Sequence, residues 1–428
     1  MTIDLASLEL KNLHRAILVG VYSHSQQKGF CIDYLSELER LCDTYGWQVV
    51  ATFACMLRKV DAATYLSKGK VEELAQMVID LNADVVVFDD EISPHQQRNL
   101  EKQLKKSVID RTELIIEVFA QRAQTREARL QIELAKTRYQ MPRLKRLWTH
   151  LSRQSTGGGA YLKGEGEKQL EIDRRILRRQ IGSLKQEIDQ VAKQRHTQRG
   201  LRMRTQIPTF AIVGYTNVGK STLLRALTQA DILVEDKLFA TLDTTTRKFV
   251  LPNKQSILLI DTVGFIRKIP HTLVAAFRST LEEAIHTDIL LHLIDVSHPM
   301  AFSQAEETLV VLKELGAKDK PIITVLNKID LCPNSSTLAK FRILYQKTVP
   351  ICAQTGEGFE LLLDSMMREI ALLRKTVRIK IPQSHYALVS ELMRLGRVLE
   401  CEYEENDVIM KLEIPASLEH RLQSFLLG

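Results

Sequence analysis

Near the N-terminus, short apolar runs alternate with segments of helical periodicity. AILVGVY (Ala16–Tyr22), WQVVATFA (Trp47–Ala54), DVVVFD (Asp84–Asp89) and SVID (Ser107–Asp110) are brief, rich in β-branched residues and apolar on both faces. That pattern marks strands covered on both sides. Between them, CIDYLSELERLCD and KVEELAQMVIDLNA repeat apolar residues at helical spacing. The alternation predicts a small parallel sheet covered by helices, an N-terminal α/β subdomain over residues 1–111.

Two long helical patterns follow, one from about Glu113 to Trp148 and one from about Glu167 to Gln198. The first must bend or end near Pro142, because proline lacks the N–H a helix interior needs. The second places Leu177, Ile181, Leu184, Ile188 and Val191 at alternating spacings of four and three, a coiled-coil seam. The expected partner is the preceding helix, folded back as an antiparallel hairpin over residues 112–204. Pairing within one chain predicts a monomer. At the turn lies RQSTGGGAYLKGEGEKQLE (Arg153–Glu171), where Gly157, Gly158 and Gly159 have no side chains to order them. Arg153, Ser155, Lys163 and Lys168, with Tyr161 as a stacking platform, are candidates for contact with irregular RNA. A flexible linker is the alternative.

Charge sharpens this picture. The chain of 428 residues carries a net +7, but residues 121–206 hold 21 Lys and Arg against 8 Asp and Glu, leaving 38 against 44 elsewhere. One strongly basic segment in an otherwise mildly acidic chain points to a polyanion partner. A solvated helix face is the bland alternative. No apolar run approaches the ~20 residues of a membrane span, and the first twenty residues lack a signal-peptide pattern. The six cysteines, Cys31, Cys42, Cys55, Cys332, Cys352 and Cys401, form no CxxC pair. Reduced thiols and a cytoplasmic location are expected.

The chemistry concentrates downstream. Strand pattern FAIV (Phe210–Val213) leads into GYTNVGKS, comprising Gly214, Tyr215, Thr216, Asn217, Val218, Gly219, Lys220 and Ser221, and then into a helical pattern. GxxxxGK[ST] between a strand and a helix is a phosphate cradle. Its glycines let backbone N–H groups face the phosphates, and the helix N-terminus favours the same negative charge. Lys220 adds a point charge and Ser221 can ligate Mg²⁺. Strand pattern ILLID ends in DTVG, where Asp261 would support Mg²⁺ through water. Thr262, Val263 and Gly264 complete this motif, and Gly264 can offer its N–H to a terminal phosphate.

Strand pattern IITVL ends in NKID, comprising Asn327, Lys328, Ile329 and Asp330. Asp330 can accept from the paired N–H donors of guanine, a pair adenine lacks, so the site reads guanine. Lys328 would pack along the base, and CAQ (Cys352, Ala353, Gln354) would close over it through the Ala353 amide. The motif order predicts a GTPase domain with a doubly wound, mostly parallel sheet over residues 205–374. LFATLDTTTR (Leu238–Arg247) should hold the first switch, but sequence physics does not choose among its threonines. Residues 375–428 read as a small C-terminal α+β module of strand, helix, two strands and a final helix, which carries no chemistry of its own and either contacts a partner or covers the GTPase domain.

GYTNVGKS, FATLD, DTVGFI, NKID and CAQTG, placed after a hairpin with STGGGAYLKGEGEKQLE at its turn, resemble the HflX family of translational GTPases. YLSKGKVEEL (Tyr65–Leu74) strengthens the resemblance, which spans almost the whole chain. It implies that Phe239, Ala240, Thr241, Leu242 and Asp243 line the nucleotide, and that Thr241 joins Ser221 on Mg²⁺. Lys220, Thr241 and Gly264 would then carry catalysis. Thr244 stands where relatives commonly carry proline. The resemblance further implies GTP and GDP as ligands and the large ribosomal subunit as partner. GTP would drive the splitting or rescue of stalled or dormant ribosomes under stress. Phe265 stands where many GTPases place a water-orienting Gln, so stimulation by the ribosome is expected. The rivals are a GTP-driven remodeller of other RNA, and an anti-association factor in which nucleotide only switches binding.

Overall fold

The computed structural model describes residues 14–144, 163–203, 207–229, 238–239, 242, 244–268, 286–317, 319–332, 335–395, 397–404, 406–415 and 422–427, with side chains of the long helix described for 171–193. The chain forms two compact units. One comprises Met1–Ala192, Leu233–Asp243 and Val263–Leu281, and the other Lys193–Ile232, Thr244–Thr262 and Glu282–Gly428.

In the first unit, β1 (Arg15–Tyr22), β2 (Gln48–Met56), β3 (Val85–Phe88) and β4 (Ser107–Asp110) form one sheet in the order β2-β1-β3-β4. Every pairing is parallel, as runs apolar on both faces require. Helices α1 (Lys28–Tyr45), α2 (Lys68–Asp80) and α3 (Pro94–Leu104) connect the strands. One face of the sheet packs Ile17, Val19, Phe53, Val86 and Phe88 with Leu74 and Leu100 from α2 and α3. Ser93 and Gln96 form a capping box that starts α3, with Pro94 at its first turn.

The helix expected from Glu113 to Trp148 is two helices. They are α4 (Arg111–Arg122) and α5 (Arg126–Gln140). Ala123 is extended, and the Thr125 side chain accepts from the Ala128 N–H, so α5 starts anew there. Residues 111–119 of α4 are all buried, which makes α4 a core helix rather than an arm. At Pro142 the chain passes into the 3₁₀ turn Met141–Arg143, where a break was expected. The return helix α6 (Lys163–Met203) begins before Glu167 and takes in Gly164 and Gly166.

The seam holds. Leu184 is buried, and Leu177, Ile181, Ile188 and Val191 are half-buried beside exposed neighbours. Gln180 donates to Glu133 at 2.9 Å, and Arg126 reaches Glu187 at 3.4 Å. Residue numbers fall along α5 as they rise along α6, so the two are antiparallel.

In the second unit, six of the described strands form one sheet. They are β5 (Thr209–Gly214), β6 (Thr245–Val250), β7 (Ser256–Asp261), β8 (Ile289–Asp295), β9 (Ile322–Asn327) and β10 (Thr348–Pro350). Their order is β10-β9-β8-β5-β7-β6, all parallel except β6. Helices α7 (Lys220–Thr228), α8 (Ala301–Glu314), α9 (Ser335–Leu344) and α10 (Phe359–Leu372) alternate with them. Strand order reverses around β5, so the carboxyl ends of β5, β7, β8 and β9 open at a topological switch point, where ligands bind in such sheets.

The same unit ends in an antiparallel sheet of β11 (Arg374–Pro382), β12 (Arg397–Glu404) and β13 (Asp407–Pro415), with β13 central. Helix α11 (Tyr386–Leu395) packs Val389 and Leu392 on Ile379, Ile381, Met410 and Leu412. The expected final helix falls partly on residues 416–421, outside the described residues, and a 3₁₀ turn spans Gln423–Phe425. No helix among the described residues is long and apolar enough to cross a membrane.

Candidate functional site

Strand β5 delivers the chain into GYTNVGKS, and α7 starts at Lys220. Two glycines are needed here for space. A Cβ at Gly214 would lie 2.5 Å from the Leu293 carbonyl oxygen, and one at Gly219, whose φ is +94°, would lie 2.4 Å from Asn327 Nδ2. The loop is therefore pressed against β8 and β9. Lys220 is buried, and its ammonium donates to the carbonyls of Gly214 (3.2 Å) and Tyr215 (2.7 Å). Burial pushes its pKa down to about 8, opposed by the Asp261 carboxylate. A phosphate anion beside it would favour the charged form. Thr216 Oγ1 is buried without a hydrogen-bond partner among the described residues.

Asp261 closes β7 and is fully buried, and Ser221 Oγ donates to its Oδ2 at 2.7 Å. A hydroxyl and a carboxylate this close form the hard-oxygen pair that suits Mg²⁺. Thr262 turns inward and donates to the Ile212 carbonyl at 2.7 Å. Its hydroxyl ties β7 to β5.

NKID is joined to the loop by two bonds. Asn327 Nδ2 donates to the Val218 carbonyl at 2.7 Å, and Lys328 Nζ donates to the Asn217 carbonyl at 3.0 Å. Lys328 has φ +61°, which turns the chain from β9 into the 3₁₀ turn Ile329–Leu331 and leaves Asp330 exposed. The Ala353 amide, expected to face guanine, donates to Asn327 Oδ1 at 2.9 Å. Cys352 is buried and pairs with Glu357, and Gln354 is exposed. Segments 214–221, 261–262, 327–330 and 352–354 thus come from one unit. Asparagine at 327 serves as the joint between the phosphate loop and the base-side loop.

Sequence reasoning passed over Asp295. It ends β8 as Asp261 ends β7, and its carboxylate sits 2.6 Å from Lys328 Nζ while accepting from the Ser297 N–H. An acidic residue closing an apolar strand was the available signal. The pair aligns the Lys328 stem that is expected to flank a base.

The switch segments are described with the first unit. Leu238, Phe239 and Leu242 are buried, Phe239 packs edge-on to Phe119 with ring centroids 4.4 Å apart, and the Leu238 N–H donates to Thr44 Oγ1 at 3.2 Å. Ala240, Thr241 and Asp243 lie outside the described residues. Val263 and Gly264 are buried, and Phe265 packs in the interior at 2% exposure. Of the RNA-contact candidates, Arg153, Ser155, Gly157, Gly158, Gly159 and Tyr161 lie outside the described residues. Lys163 and Lys168 lie on α6, and their side chains are outside the described set.

Three family models match separate stretches of the chain. Residues 33–120 match a family described as GTP-binding GTPase N-terminal, 122–202 its GTP-binding GTPase middle region, and 209–328 a family described as 50S ribosome-binding GTPase. The GTPase HflX of Chlamydia pneumoniae is 46% identical over 96% of this chain and 88% of its own length. The GTPase HflX of Akkermansia muciniphila is 43% identical over 97% of both chains. That of Escherichia coli is 38% identical over 94% of this chain and 93% of its own. A solved GTP-binding protein from Sulfolobus solfataricus in complex with GDP aligns at 24% identity over 84% of this chain and 100% of that one, with a TM-score of 0.44.

Proposed function

The chain belongs to the HflX family of GTPases, and from that premise we propose that it binds the large ribosomal subunit and uses its GTP cycle to split or rescue stalled or dormant ribosomes under stress. The observation that carries this reading is the antiparallel α5–α6 arm. It carries a basic segment on the same chain as a guanine-nucleotide motif set and a glycine-rich stretch of sequence. Ribosomal RNA is the polyanion such an arm suits, and irregular RNA is met by flexible, stacking and cationic groups together.

In this reading, residues 1–111 and 112–204 address the ribosome, 205–374 turn over GTP, and 375–428 form an accessory module. The protein acts as a cytoplasmic monomer, partly on ribosomes. Gly214 to Ser221 cradle the phosphates, with Lys220 as the point charge. Asp330 reads guanine, Lys328 flanks it, and Cys352 to Gln354 close the base side. Phe239 to Asp243 and Val263 with Gly264 sense the terminal phosphate.

Ser221 and Thr241 would hold Mg²⁺, with Asp261 behind Ser221. The 2.7 Å Ser221–Asp261 pair is suited to that task. When bound, Mg²⁺ neutralises charge on the phosphates. Phe265 is buried and offers no hydrogen bond to an attacking water, so turnover by the isolated chain is slow and the ribosome orders what is missing.

The test is sedimentation of 70S ribosomes with the protein and GTP, GDP or a non-hydrolysable analogue, beside GTP turnover with and without 50S subunits. Splitting with GTP and at least tenfold faster turnover on 50S subunits are expected. Deleting Gly157–Gly159 should spare GTP binding and impair splitting. Stimulation by free structured RNA but not by subunits would favour the RNA-remodeller reading. Full splitting with the analogue would confine hydrolysis to release.

A further inference from the structure

A second polar cluster lies within the first unit, at the carboxyl ends of β3 and β4, and takes in the residues that follow DTVG. After Gly264 the chain buries Phe265 and Ile266 and reaches Arg267. Arg267 Nη2 donates to both Asp89 carboxylate oxygens (3.0 and 2.7 Å), and its guanidinium lies 3.5 Å from the centre of the Tyr34 ring. Lys268 donates to Asp89 Oδ2 at 3.1 Å and also to Asp90.

Arg111 approaches from the opposite side. It donates to Asp89 Oδ1 at 2.9 Å and to Glu37 at 2.8 Å, while its Nε donates to the Arg267 carbonyl at 3.2 Å. One segment is thus held by both side chain and backbone. Burial alone would raise the Asp89 pKa, but Arg111, Arg267 and Lys268 outweigh it and hold the carboxyl below its ordinary value. The carboxylate is charged, paired and 4% exposed. Charge-assisted bonds in such a setting fix geometry strongly.

Two further observations make the cluster a mount rather than a chance ion network. First, Lys268 sits at φ +54°, a left-handed conformation that persists in a non-glycine residue only where the surroundings hold it. Second, Arg111 opens α4 directly after a rigid anchor. Its neighbour Asp110 is fully buried, accepting from the Glu113 N–H (2.9 Å), Tyr139 Oη (2.9 Å) and Arg143 Nη2 (3.3 Å). A positioning group works only as well as its own support.

Just two residues separate Gly264 from Arg267. In a GTPase, a small shift of the Gly264 amide changes how it meets the terminal phosphate, and displacements of ~1 Å cost up to ~10²-fold in rate. Phe265 cannot compensate through a hydrogen bond of its own. We propose that Asp89, backed by Arg111, is a positioning residue for GTP turnover, holding the segment from Gly264 to Lys268 through Arg267. The proposal rests on the GTPase activity of the family and not on the ribosomal reading.

The experiment uses the full chain and Asp89→Asn, Asp89→Glu, Arg267→Gln and the Asp89→Asn/Arg267→Gln pair. GTP turnover is followed by phosphate release, and GDP affinity by a fluorescent GDP. Asp89→Asn should lower kcat about tenfold, with KM and GDP affinity within about twofold. Asp89→Glu should recover at least half of the loss, and adding Arg267→Gln to Asp89→Asn should cost less than about twofold more. Unchanged or raised kcat in Asp89→Asn, or multiplying losses in the pair, would overturn the assignment. A purely structural role would lower thermal stability and GDP affinity together, without the split between kcat and KM, and would overturn it too. Should Asp89→Asn fail to fold, Lys268→Ala decides on the accessible side of the cluster. A kcat loss of about threefold with unchanged GDP affinity supports the proposal, and an unchanged kcat rejects it. A chain that passes these tests but does not split ribosomes would remove the ribosomal reading alone.

Discussion

Two sheets in this chain, one parallel and one mostly parallel, collect charged residues at the carboxyl ends of their strands, and they use them differently. At the end of the six-stranded sheet, Lys220 rests on carbonyls, Asp261 meets a hydroxyl and Lys328 is aligned by Asp295. The groups converge on a glycine loop whose amides and helix N-terminus are suited to an anion from outside. At the end of the four-stranded sheet, Asp89 and Asp110 meet arginines supplied by the chain itself. The same topological rule yields a candidate ligand site in one sheet and an internal ion knot in the other. What separates them is whether the protein supplies the counter-charge.

The comparison breaks most directly at Lys220. Lys220→Ala should lower GTP turnover more than about a hundredfold, measured by phosphate release, because the other described cation that reaches the loop, Lys328, is held by Asp295. Survival of more than a tenth of the activity would remove it from the phosphate site.

The internal knot breaks at Arg143, which donates to Asp110, the Ile92 carbonyl and Gln97 and stacks 3.6 Å over Tyr139. Arg143→Met should cost about 3 kcal/mol at pH 7 by urea unfolding, because it leaves a buried carboxylate uncompensated. Burial already raises the Asp110 pKa to about 6, against an ordinary 3.8. Without Arg143 it rises further, so the folded state takes up a proton more readily than the unfolded one. The deficit should therefore shrink as pH falls from 7 to 5. A deficit independent of pH would point to lost packing alone.

Asp330→Asn should weaken GTP binding about thirtyfold and narrow the preference over ATP, because two charge-assisted bonds to guanine would be lost. Competition between GTP and ATP for a fluorescent GDP measures it, and unchanged selectivity would move guanine reading elsewhere.

The smallest effect concerns His292 in central strand β8, which is fully buried with neither ring nitrogen hydrogen-bonded among the described residues. Burial lowers its pKa to about 4 from 6.5. The unfolded chain binds the proton first, so stability is lost as pH falls from 6.5 toward 4. His292→Leu should remove that loss, gaining about 2 kcal/mol at pH 5 relative to its effect at pH 8. Parallel stability–pH curves for the two proteins would contradict a neutral, buried imidazole.

Much of the candidate site was legible because its signals are local. A strand, a glycine loop and a lysine within the twelve residues Thr209–Lys220 announce a phosphate cradle. Short β-branched runs apolar on both faces announced the strands of the first sheet, and a heptad pattern announced the α5–α6 seam. The break at Ala123–Thr125 was missed, although Thr125 is a good helix cap, because helical periodicity continues on both sides. Asp295 was passed over because an acidic strand end is common, and its meaning came from Lys328 lying 2.6 Å away.

By itself, the sequence determined where most of the strands and helices lie, though not the break at Ala123, where the phosphate and base motifs fall, and that one arm is basic. These follow from spacing and composition, which act over a few residues at a time. Only the tertiary structure decided that Asp89 meets Arg267 across 178 positions, that Asp110 meets Arg143, and that the Ala353 amide is spent on Asn327. The physical reason is that a buried charge takes whichever partner the packing delivers. Sequence distance carries no information about that choice once the chain has folded back on itself.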